Sequence, residues 1–461
     1  MPRDFNNSSY TITSAKLYSY GNSKPFDLDG FITQVHFTQS MDMASYTCVI
    51  VVTDAIGIAE NLPIRAEERI DLQLSVDDLQ SPLKVQLQIY KVSDLTIGDN
   101  SATVSFTAHC VSTTSFNMMK RRITKHYKGT TEKIAKEMFD EYIGKVGSKS
   151  DIDPDYKSNG VIRGSTFPYA VVRYELQGER ERFFFVQPGA SILNFIIPRY
   201  TPVKAMDFLA AKSYQPETAS HTFRFFENWI GYYFVTDEFF FERAKQNKSA
   251  IQLFYSPTAS SDYTDTESQI GRIDSLSNPE RGLNTGKDIF SGKYMADVFE
   301  IDLLKRTTRI EKFDYLKDGT KFVDATGNTR KLSSMPHTEQ FIKDTFTEEN
   351  SHRYIIVRDY QSAEDLPSTL KAETHYAEIA LKRDSYRGHL MDMVVNAELR
   401  GRADITPGRI IDLSISASGG NSAEKHNQLA GKYLVYGTRH AFVNFELKTS
   451  LTLVKYDWST T

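Results

Sequence analysis

Apolar and polar side chains alternate every second residue through most of the sequence, and this periodicity constrains the fold more than any other feature. The alternation is clearest at 46–54 (YTCVIVVTD), 68–76 (ERIDLQLSV), 83–92 (LKVQLQIYKV) and 102–111 (ATVSFTAHCV). A period of two places successive side chains on opposite faces of a β-strand, and polar turns separate the segments. Residues 1–118 are therefore predicted to form an all-β domain, closed as a barrel or a sandwich.

The last part of the chain repeats this pattern. RIDLQLS (69–75) aligns with IIDLSIS (410–416), which places Asp71 on Asp412. LQIYKV (87–92) aligns with YLVYGT (433–438), which places Tyr90 on Tyr436. Short strands resemble one another by chance, but in both places an Asp-containing strand is followed by an apolar strand, a turn and a strand of alternating Thr and Ser. This shared order favours a duplicated barrel.

Two segments have helical rather than strand periodicity. TTEKIAKEMFDEYIG (130–144) carries a threonine cap, an apolar stripe spaced by four, and Gly144 at the position of a left-handed stop. TPVKAMDFLAAKS (201–213) begins with Thr201 as a cap and Pro202 at the first helical position. Each is predicted to be an amphipathic helix.

An aromatic segment, FRFFENWIGYYFVTDEFFFE (223–242), follows the second helix. Asn228-Trp229-Ile230-Gly231 interrupts it in the manner of a turn, so a β-hairpin is predicted. The second helix should pack on one aromatic face, which Phe223, Phe225, Tyr233 and Val235 are expected to share; the other face also needs a cover. We expect the hairpin to be core and subunit interface rather than a platform for sugars or bases.

Composition excludes several classes of protein. The chain has 461 residues, so about three or four domains are expected. Its 55 Lys+Arg and 59 Asp+Glu give a net charge of -4, which favours no tight nucleic-acid binding. Cys48 and Cys110 are predicted to be buried thiols. The N-terminus has no apolar signal region and no run is long enough to span a membrane, so no membrane insertion is expected.

No motif identifies a catalytic, cofactor-binding or metal-binding residue. GLNTGKD (282–288) lacks the spacing and the hydroxyl of a phosphate-binding loop, and the alternating Asp151, Asp153 and Asp155 lack the glycine and glutamate of a calcium loop. The ten histidines are scattered singly. We therefore predict no enzyme and no cofactor.

One basic run stands out, KRRITKHYKG (120–129), which includes Arg121 and Arg122. It is expected to be a solvated linker or a subunit contact. A contact with phosphate or with an acidic partner is the alternative.

Taken together, four segments resemble the baseplate hub family of contractile phage tails, which also includes the hub part of type VI secretion spike proteins. The segments are MMKRRITKHYKGTTEKIAKEMFDEY (118–142), the helix-and-hairpin region from IIPRYTPVKAMDFLAAKS (196–213) to FRFFENWIGYYFVTDEFF (223–240), SGKYMADVFEIDLLKRTTRIEKFDYL (291–316), and the strands from DITPGRIIDLSISAS (404–418) to ELKTSLTLVKYDW (446–458). They occur in the family's order and span most of the chain.

This resemblance implies a mainly β (α+β) chain with two similar tube-type β-barrel domains. The expected domains are a first barrel at 1–118, a middle domain with helices and hairpin at 119–249, a second barrel at 250–316 and 385–461, and an insertion or continuation of the middle domain at 317–384. It further implies a homotrimer that adapts a sixfold tail tube to a trimeric spike and lines the tail channel. The implied partners are the tube protein, a separate spike protein and baseplate wedge proteins, in a virion assembled in the host cytoplasm.

The expected subunit-interface residues are Trp229, Tyr232, Phe239, Phe240, Arg121 and Arg122. Because the sequence ends at KYDWSTT, soon after the last barrel strand, the spike is expected to be a separate polypeptide. Three alternatives stay open at this point: the tail-tip protein of a noncontractile phage, a hub with cell-wall hydrolase activity, and a glycan-binding module.

Overall fold

A computed structural model describes the protein at residues 9–20, 24–54, 64–76, 82–97, 104–144, 170–174, 182–189, 192–215, 221–247, 250–255, 271–281, 285–303, 306–318, 322–323, 329–330, 340, 343, 353–357, 372–415 and 429–455. The chain is mainly β with a few helices, as the sequence predicts, and one large, mostly antiparallel sheet dominates it. The Asp151, Asp153 and Asp155 segment and the start of GLNTGKD lie outside the described residues.

The first β-unit contains seven strands that enclose one apolar core. They are β1 Tyr10–Tyr18, β2 Phe26–Asp27, β3 Ile32–Ser40, β4 Thr47–Asp54, β5 Arg69–Val76, β6 Leu83–Ile97 and β7 Val104–Ser112. They pair in the order β2-β1-β5-β6-β7-β4-β3. Alternate side chains of these strands are buried in a single cluster, so the sheet coils around that core. Cys48 and Cys110 lie opposite each other in it as buried free thiols.

The second β-unit is built from strands far apart in the chain. They are β14 Ile251–Tyr255, β15 Ser275–Arg281, β21 Met393–Arg400, β22 Ile410–Ile415, β23 Gly431–Val443 and β24 Glu446–Lys455. They pair in the order β14-β22-β23-β24-β21-β15. The first unit has the same order, β1-β5-β6-β7-β4-β3, and each unit has its own core cluster.

The repeat extends to the pairing of individual residues. Ile70 pairs with Leu87 in the first unit, and the aligned Ile411 pairs with Tyr433 in the second. Each unit then has a register shift, one between Ile89 and Lys91 and one between Val435 and Gly437. The two skipped residues are Tyr90 and Tyr436, which the sequence alignment placed together. Matching order, register and bulge confirm the internal repeat.

The repeat is inexact at one edge. β14 runs parallel to β22, whereas β1 runs antiparallel to β5. β14 is also only five residues long, against nine for β1. The other five strands of each unit keep the same directions relative to their neighbours.

The middle of the chain packs helices on both sides of a small sheet. Its helices are α1 Thr113–Lys120, α2 Thr131–Tyr142, α3 Pro202–Ala211 and α4 Asp237–Asn247. Its strands are β8 His126–Thr130, β9 Ala170–Tyr174, β10 Arg182–Val186, β11 Ile192–Ile196, β12 Arg224–Glu227 and β13 Gly231–Val235. Thr130 and Thr201 cap α2 and α3 as predicted. The α2 helix ends at Tyr142, with Ile143 as its C-cap.

The hairpin β12–β13 forms where the sequence predicts it, but the predicted shared face is wrong by one residue. Phe225 pairs with Phe234 and Phe226 with Tyr233, because Glu227 pairs with Tyr232 and the four residues from Asn228 to Gly231 form the turn between them. Phe225 and Phe234 therefore face the helices α2 and α3. Phe226, Tyr233 and Val235 face the opposite way. The aromatic run 239–241 lies in α4 rather than in a strand.

The second aromatic face is covered by elements between residues 285 and 390, a region that includes the end of the predicted first part of the second barrel (250–316) as well as the predicted insertion (317–384). This region contributes α5 Thr285–Phe290, β16 Met295–Asp302, β17 Thr307–Asp314, α6 Tyr315–Asp318, β18 Phe322–Val323, β19 Thr329–Arg330, β20 Arg353–Val357 and α7 Ala372–Leu390. Val298, Phe313 and Leu381 pack in the same cluster as Tyr233 and Phe226. The helix α7 continues through the predicted boundary at 384, so the domain division at that point stays a prediction.

Gly231 provides a test of this packing. A methyl group on its Cα would lie 1.8 Å from the carbonyl oxygen of Phe183, on the neighbouring parallel strand β10. Gly231→Ala should lower the free energy of unfolding by about 1–3 kcal/mol, measured by urea denaturation, since overpacked sites cost that much. Gly30→Ala is the control, because nothing lies within 4 Å of its methyl position. Equal losses in the two variants would contradict this account.

Candidate functional site: the joint between the two β-units

The two β-units are joined by backbone hydrogen bonding between β3 and β23. Residues Gly437 to Val443 of β23 pair antiparallel with Ser40 to Gln34 of β3. The first part of β23, up to Leu434, pairs with β22 of its own unit. One strand therefore belongs to both units, and the strands of the two units form one continuous sheet.

The change of partner falls at the bulge residue Tyr436. Its carbonyl accepts a hydrogen bond from the Met41 amide at 2.9 Å, just beyond the end of β3. Its phenol donates to the Asp42 carboxylate. A β-bulge bends a strand and increases its twist, so the bulge lets β23 leave one partner and join another.

A buried ion cluster ties the hairpin to this bulge. Arg224 of β12 donates from Nε to Asp237 Oδ1 at 2.7 Å and from Nη2 to Asp237 Oδ2 at 3.2 Å. Its Nη1 donates to Asp42 Oδ1 at 2.6 Å and to the Tyr436 hydroxyl at 3.0 Å. The Arg224 and Asp237 side chains are 4% and 0% exposed. The cluster thus links the hairpin, the start of α4 and both β-units.

The arginine of this cluster stays ionised. Burial alone would lower the pKa of Arg224, but the Asp237 carboxylate and its other neighbours raise it above its ordinary value. Burial raises the pKa of the Tyr436 phenol, with Arg224 opposing the shift. The guanidinium is therefore a permanent charge, and the phenol stays protonated as a hydrogen-bond donor.

The hairpin tip fills the space between the units. Trp229 stacks on His440 of β23 at 4.5 Å between ring centroids and meets Phe37 of β3 edge-on at 5.9 Å. The Asn228 side chain donates to the Pro407 carbonyl at 3.1 Å, and the Trp229 amide donates to Gln39 Oε1 at 3.3 Å. The tip contacts both units through side chains as well as backbone.

The six residues predicted for a subunit interface fall into two groups. Trp229, Tyr232, Phe239 and Phe240 are at most 8% exposed, covered by other parts of the same chain. The part of the expectation that made the hairpin core is met for these four. Their contribution to an interface between subunits stays a prediction, and within one chain they have little free surface for it.

Arg121 and Arg122 are exposed. Arg121 donates to the carbonyl oxygen of Tyr142, at the end of α2, at 3.3 Å. Arg122 donates to the carbonyl of Met119 at 2.8 Å. These bonds hold both guanidinium groups at the surface, where a subunit contact stays a prediction.

Sequence patterns did not identify the residues that form the joint. Asp42, Arg224, Asp237 and Tyr436 are up to 394 positions apart, and none belongs to a recognisable motif. The only available signal was the alignment of Tyr90 with Tyr436, which marked the bulge but not its partners.

A second buried ion cluster lies beneath α7. Lys293 Nζ contacts Asp288 Oδ2 at 3.0 Å and also contacts Asp392. Burial would lower the pKa of Lys293, but these two carboxylates raise it.

Among the described residues no group of three or more His, Cys, Asp or Glu side chains is arranged to hold a metal ion. No helix in the described segments is long and apolar enough to cross a membrane.

Two strand edges correspond, through the internal repeat, to the two edges that pair at the joint. β3 and β23 pair with each other; their counterparts in the repeat are β15 and the second half of β6. β15 pairs only with β21, and β6 leaves β5 after Gln88, so residues 91–97 pair only with β7. Within the described residues, each of these edges therefore has one side without a strand.

Comparison with known proteins gives similar structures but no sequence family. No family model matches the sequence, and no curated protein matches it. The tail protein from Neisseria meningitidis MC58 is similar over 97% of both chains, at 10% identity and a TM-score of 0.48. The 43 kDa tail protein of prophage MuSo2 from Shewanella oneidensis is similar over 96% of this chain and 98% of its own, at 10% identity and a TM-score of 0.48.

A third similar structure is an Escherichia coli component of the type VI secretion system, described as structurally similar to the T4 phage tail proteins gp27 and gp5. It matches over 96% of this chain and 77% of its own, at 8% identity and a TM-score of 0.39. These three structures are of the kinds that the sequence resemblance named, phage tail proteins and type VI secretion components.

Asp237→Asn tests the ion cluster. It leaves Arg224 buried with only Asp42, whose side chain is 61% exposed, as a charged partner. Breaking a buried pair costs about 3–5 kcal/mol, so a loss of about 3 kcal/mol in unfolding free energy is expected by urea denaturation. Asp274→Asn removes the exposed partner of Arg400 and should cost less than about 1 kcal/mol. Similar losses in both variants would refute a special role for the cluster.

His440 gives a pH-dependent test. Burial lowers its pKa from 6.5 to about 3, so it is neutral when folded, whereas the unfolded chain takes up a proton below about pH 6.5. It should therefore reduce stability as the pH falls from 6.5 towards 3, by up to about 1.4 kcal/mol per pH unit. In urea unfolding at a series of pH values, His440→Gln should show a shallower fall than the wild type.

The exposed His126 is the matched control for this test. His126→Gln makes the same substitution at an exposed position. The buried His389, whose pKa burial also lowers to about 3, is present in all three proteins and cancels from the comparison. If His440→Gln and the wild type fall equally, burial of a neutral His440 is wrong.

Proposed function

We propose that this chain is a structural hub subunit of a contractile phage tail, in which three copies form a ring around the tail channel. The observation that carries the proposal is the pair of strand edges, on β6 and β15, that have no partner strand among the described residues. They are the counterparts of the two strands that already join the units within one chain. We propose that the same kind of strand pairing that joins the two units within one chain also joins neighbouring chains.

Pairing of β15 with residues 91–97 of β6 in a second copy would repeat the β3–β23 ladder. An exposed strand edge presents unpaired N–H and C=O groups and is a template for another strand. Pro279 in β15 has no N–H to donate, so the pairing stretch is centred on Ser275 to Ser277. The contact is head-to-tail, and such contacts generate rings when the rotation closes.

The number of copies comes from the sequence resemblance, which implies a homotrimer. Three chains with two alike units each give six units around one axis. Such a ring presents nearly sixfold symmetry to a tube and threefold symmetry to a spike. The two faces of the hub can thus bind partners of different symmetry.

The proposed partners are the tail tube protein on one side, a spike protein on the other, and wedge proteins around the perimeter. The proposed location is the baseplate of a virion assembled in the host cytoplasm. We assign the chain no catalytic role, since its buried ion clusters at Arg224 and Lys293 are satisfied by groups within the chain.

Native mass spectrometry of the purified chain tests the trimer. The expected mass is three times the 52.5 kDa of one chain. Hydrogen exchange should show slow amides at 91–97 and 275–277, because a second ladder protects them. The edge strand β17, which the proposal leaves unpaired on its outer side, serves as the internal comparison.

The two measurements separate two ways in which the proposal can fail. A stable monomer at micromolar concentration would refute the hub. A trimer whose residues 91–97 exchange as fast as the outer edge of β17 would retain the hub but refute pairing through these edges.

A further inference from the structure

The face of the joint sheet that points away from both cores carries a line of basic side chains. Partners directly opposite each other in neighbouring strands lie on the same face of a sheet. Following these pairs from β21 to β6 gives one row across seven strands: Arg400, Lys448, Ala441, His36, Val49, His109 and Lys91. We call this set the basic row.

All ionisable side chains of the basic row are basic. Arg400, Lys448 and Lys91 are exposed, and the other four members are partly exposed. Arg400 is paired with Asp274 at 3.3 Å, but both side chains are open to solvent, and such pairs are weak. Burial and the nearby Arg439 lower the pKa of His36, so the permanent cations of the row are Arg400 and Lys448 on neighbouring strands and Lys91 at the far end. They lie on one line of a chain whose net charge is -4.

The rows on either side are mostly hydroxyl and amide side chains. One contains Ser275, Glu398, Ser450, Arg439, Thr38 and Thr47. The other contains Glu446, Val443, Gln34, Val51, Thr107 and Ser93. Neither row contains a large aromatic anchor, although Tyr90 is 47% exposed beside Lys91.

This chemistry favours a nucleic-acid backbone over a protein partner. Protein interfaces depend on a few buried aromatic or arginine anchors, which the flanking rows lack apart from Arg439. Lysine, arginine, serine and threonine side chains supply most contacts to phosphate oxygens. Neighbouring strands lie roughly 4.8 Å apart, so the seven-strand row extends over about 29 Å, enough to meet several phosphates of a duplex.

In the ring, this face would line the channel. The core clusters of both units, and the strands that coil around them, lie on the other side of the sheet. When a sheet closes into a ring, more space is available outside the ring than inside it, so the cores would lie outside. The basic row would then run around the inner wall, repeated once in each copy.

We propose that the basic row contacts the phosphate backbone of duplex DNA, weakly and without sequence preference. This inference rests on the proposed hub function for its place in a channel, but the row itself belongs to a single chain. The rows on both sides are mostly uncharged, with one glutamate each (Glu398 and Glu446), and would let the duplex move along the wall. The low net charge of the chain keeps the contact from becoming a tight one.

The test uses the full chain and a fluorescently labelled 30-base-pair duplex, with binding followed by anisotropy at 50 and 200 mM salt. The variant Lys91→Ser/Arg400→Ser/Lys448→Ser removes three cations from the row. The control Arg309→Ser/Lys312→Ser/Lys317→Ser removes one arginine and two lysines from exposed positions around β17. Both variants change the net charge equally.

The row variant should bind the duplex at least about tenfold more weakly at 50 mM salt. Its log–log salt slope should be smaller by about 2.7, since each neutralised phosphate contributes about 0.9. The control should stay within about twofold of the wild type. Equal weakening in both variants, no duplex binding by the wild type at 50 mM salt, or binding of polyglutamate in place of DNA would overturn the proposal.

Native mass measured on the same samples separates this inference from the hub. Trimers that bind DNA equally with and without the row refute the row and retain the hub. Monomers that lose DNA binding only in the row variant refute the hub and retain the row.

Discussion

The structure depends on one strand that serves two sheets. A β-strand has two edges, and β23 uses one of them along its length for β24 and divides the other between β22 and β3. The division occurs at the Tyr436 bulge, where the backbone skips a pairing position. Because of this change of partner, both units share one sheet with their cores on the same side. The hairpin tip, the Asp42 turn and the start of α4 all meet at that point.

The joint is fixed by groups that are costly to misplace. Removing a guanidinium and a carboxylate from water carries a penalty of several kcal/mol per ion, repaid only when the geometry is good. Arg224 satisfies that condition through bonds to Asp237, Asp42 and Tyr436, which come from three separate parts of the chain. These bonds connect the hairpin to both units at one point.

On the opposite face of the sheet, which carries the basic row, the charged side chains are exposed rather than buried. Its cations lie in water, where each interaction is weak and is screened by salt. Charges of this kind do little for the fold, yet Arg400 and Lys448 on neighbouring strands and Lys91 at the far end of the same row create a local field that the net charge of the chain does not show. The same strand pairing thus places buried side chains at the joint on one face of the sheet and exposed basic side chains on the other.

The internal repeat explains why equivalent strand edges are paired at the joint between the two units but not elsewhere in the described sheet. The β-units have the same strand order, register and bulge, so they present the same edges. One such pair of edges meets inside the chain at β3 and β23. Within the described residues, the corresponding edges on β15 and β6 each have a paired strand on one side only. The proposed ring of copies would give each of these edges a partner.

The sequence by itself determined the strands, the duplication, both predicted helices and the hairpin, because alternation, capping and turn residues act over a few neighbouring positions. It also aligned Tyr90 with Tyr436 correctly. It assigned the hairpin faces wrongly, since the number of residues in the turn, four between the paired Glu227 and Tyr232, decides which side chains share a face. The Arg224 cluster, the change of partner in β23 and the basic row were decided only by the tertiary structure. Their members are hundreds of residues apart, and only cross-strand register places them together.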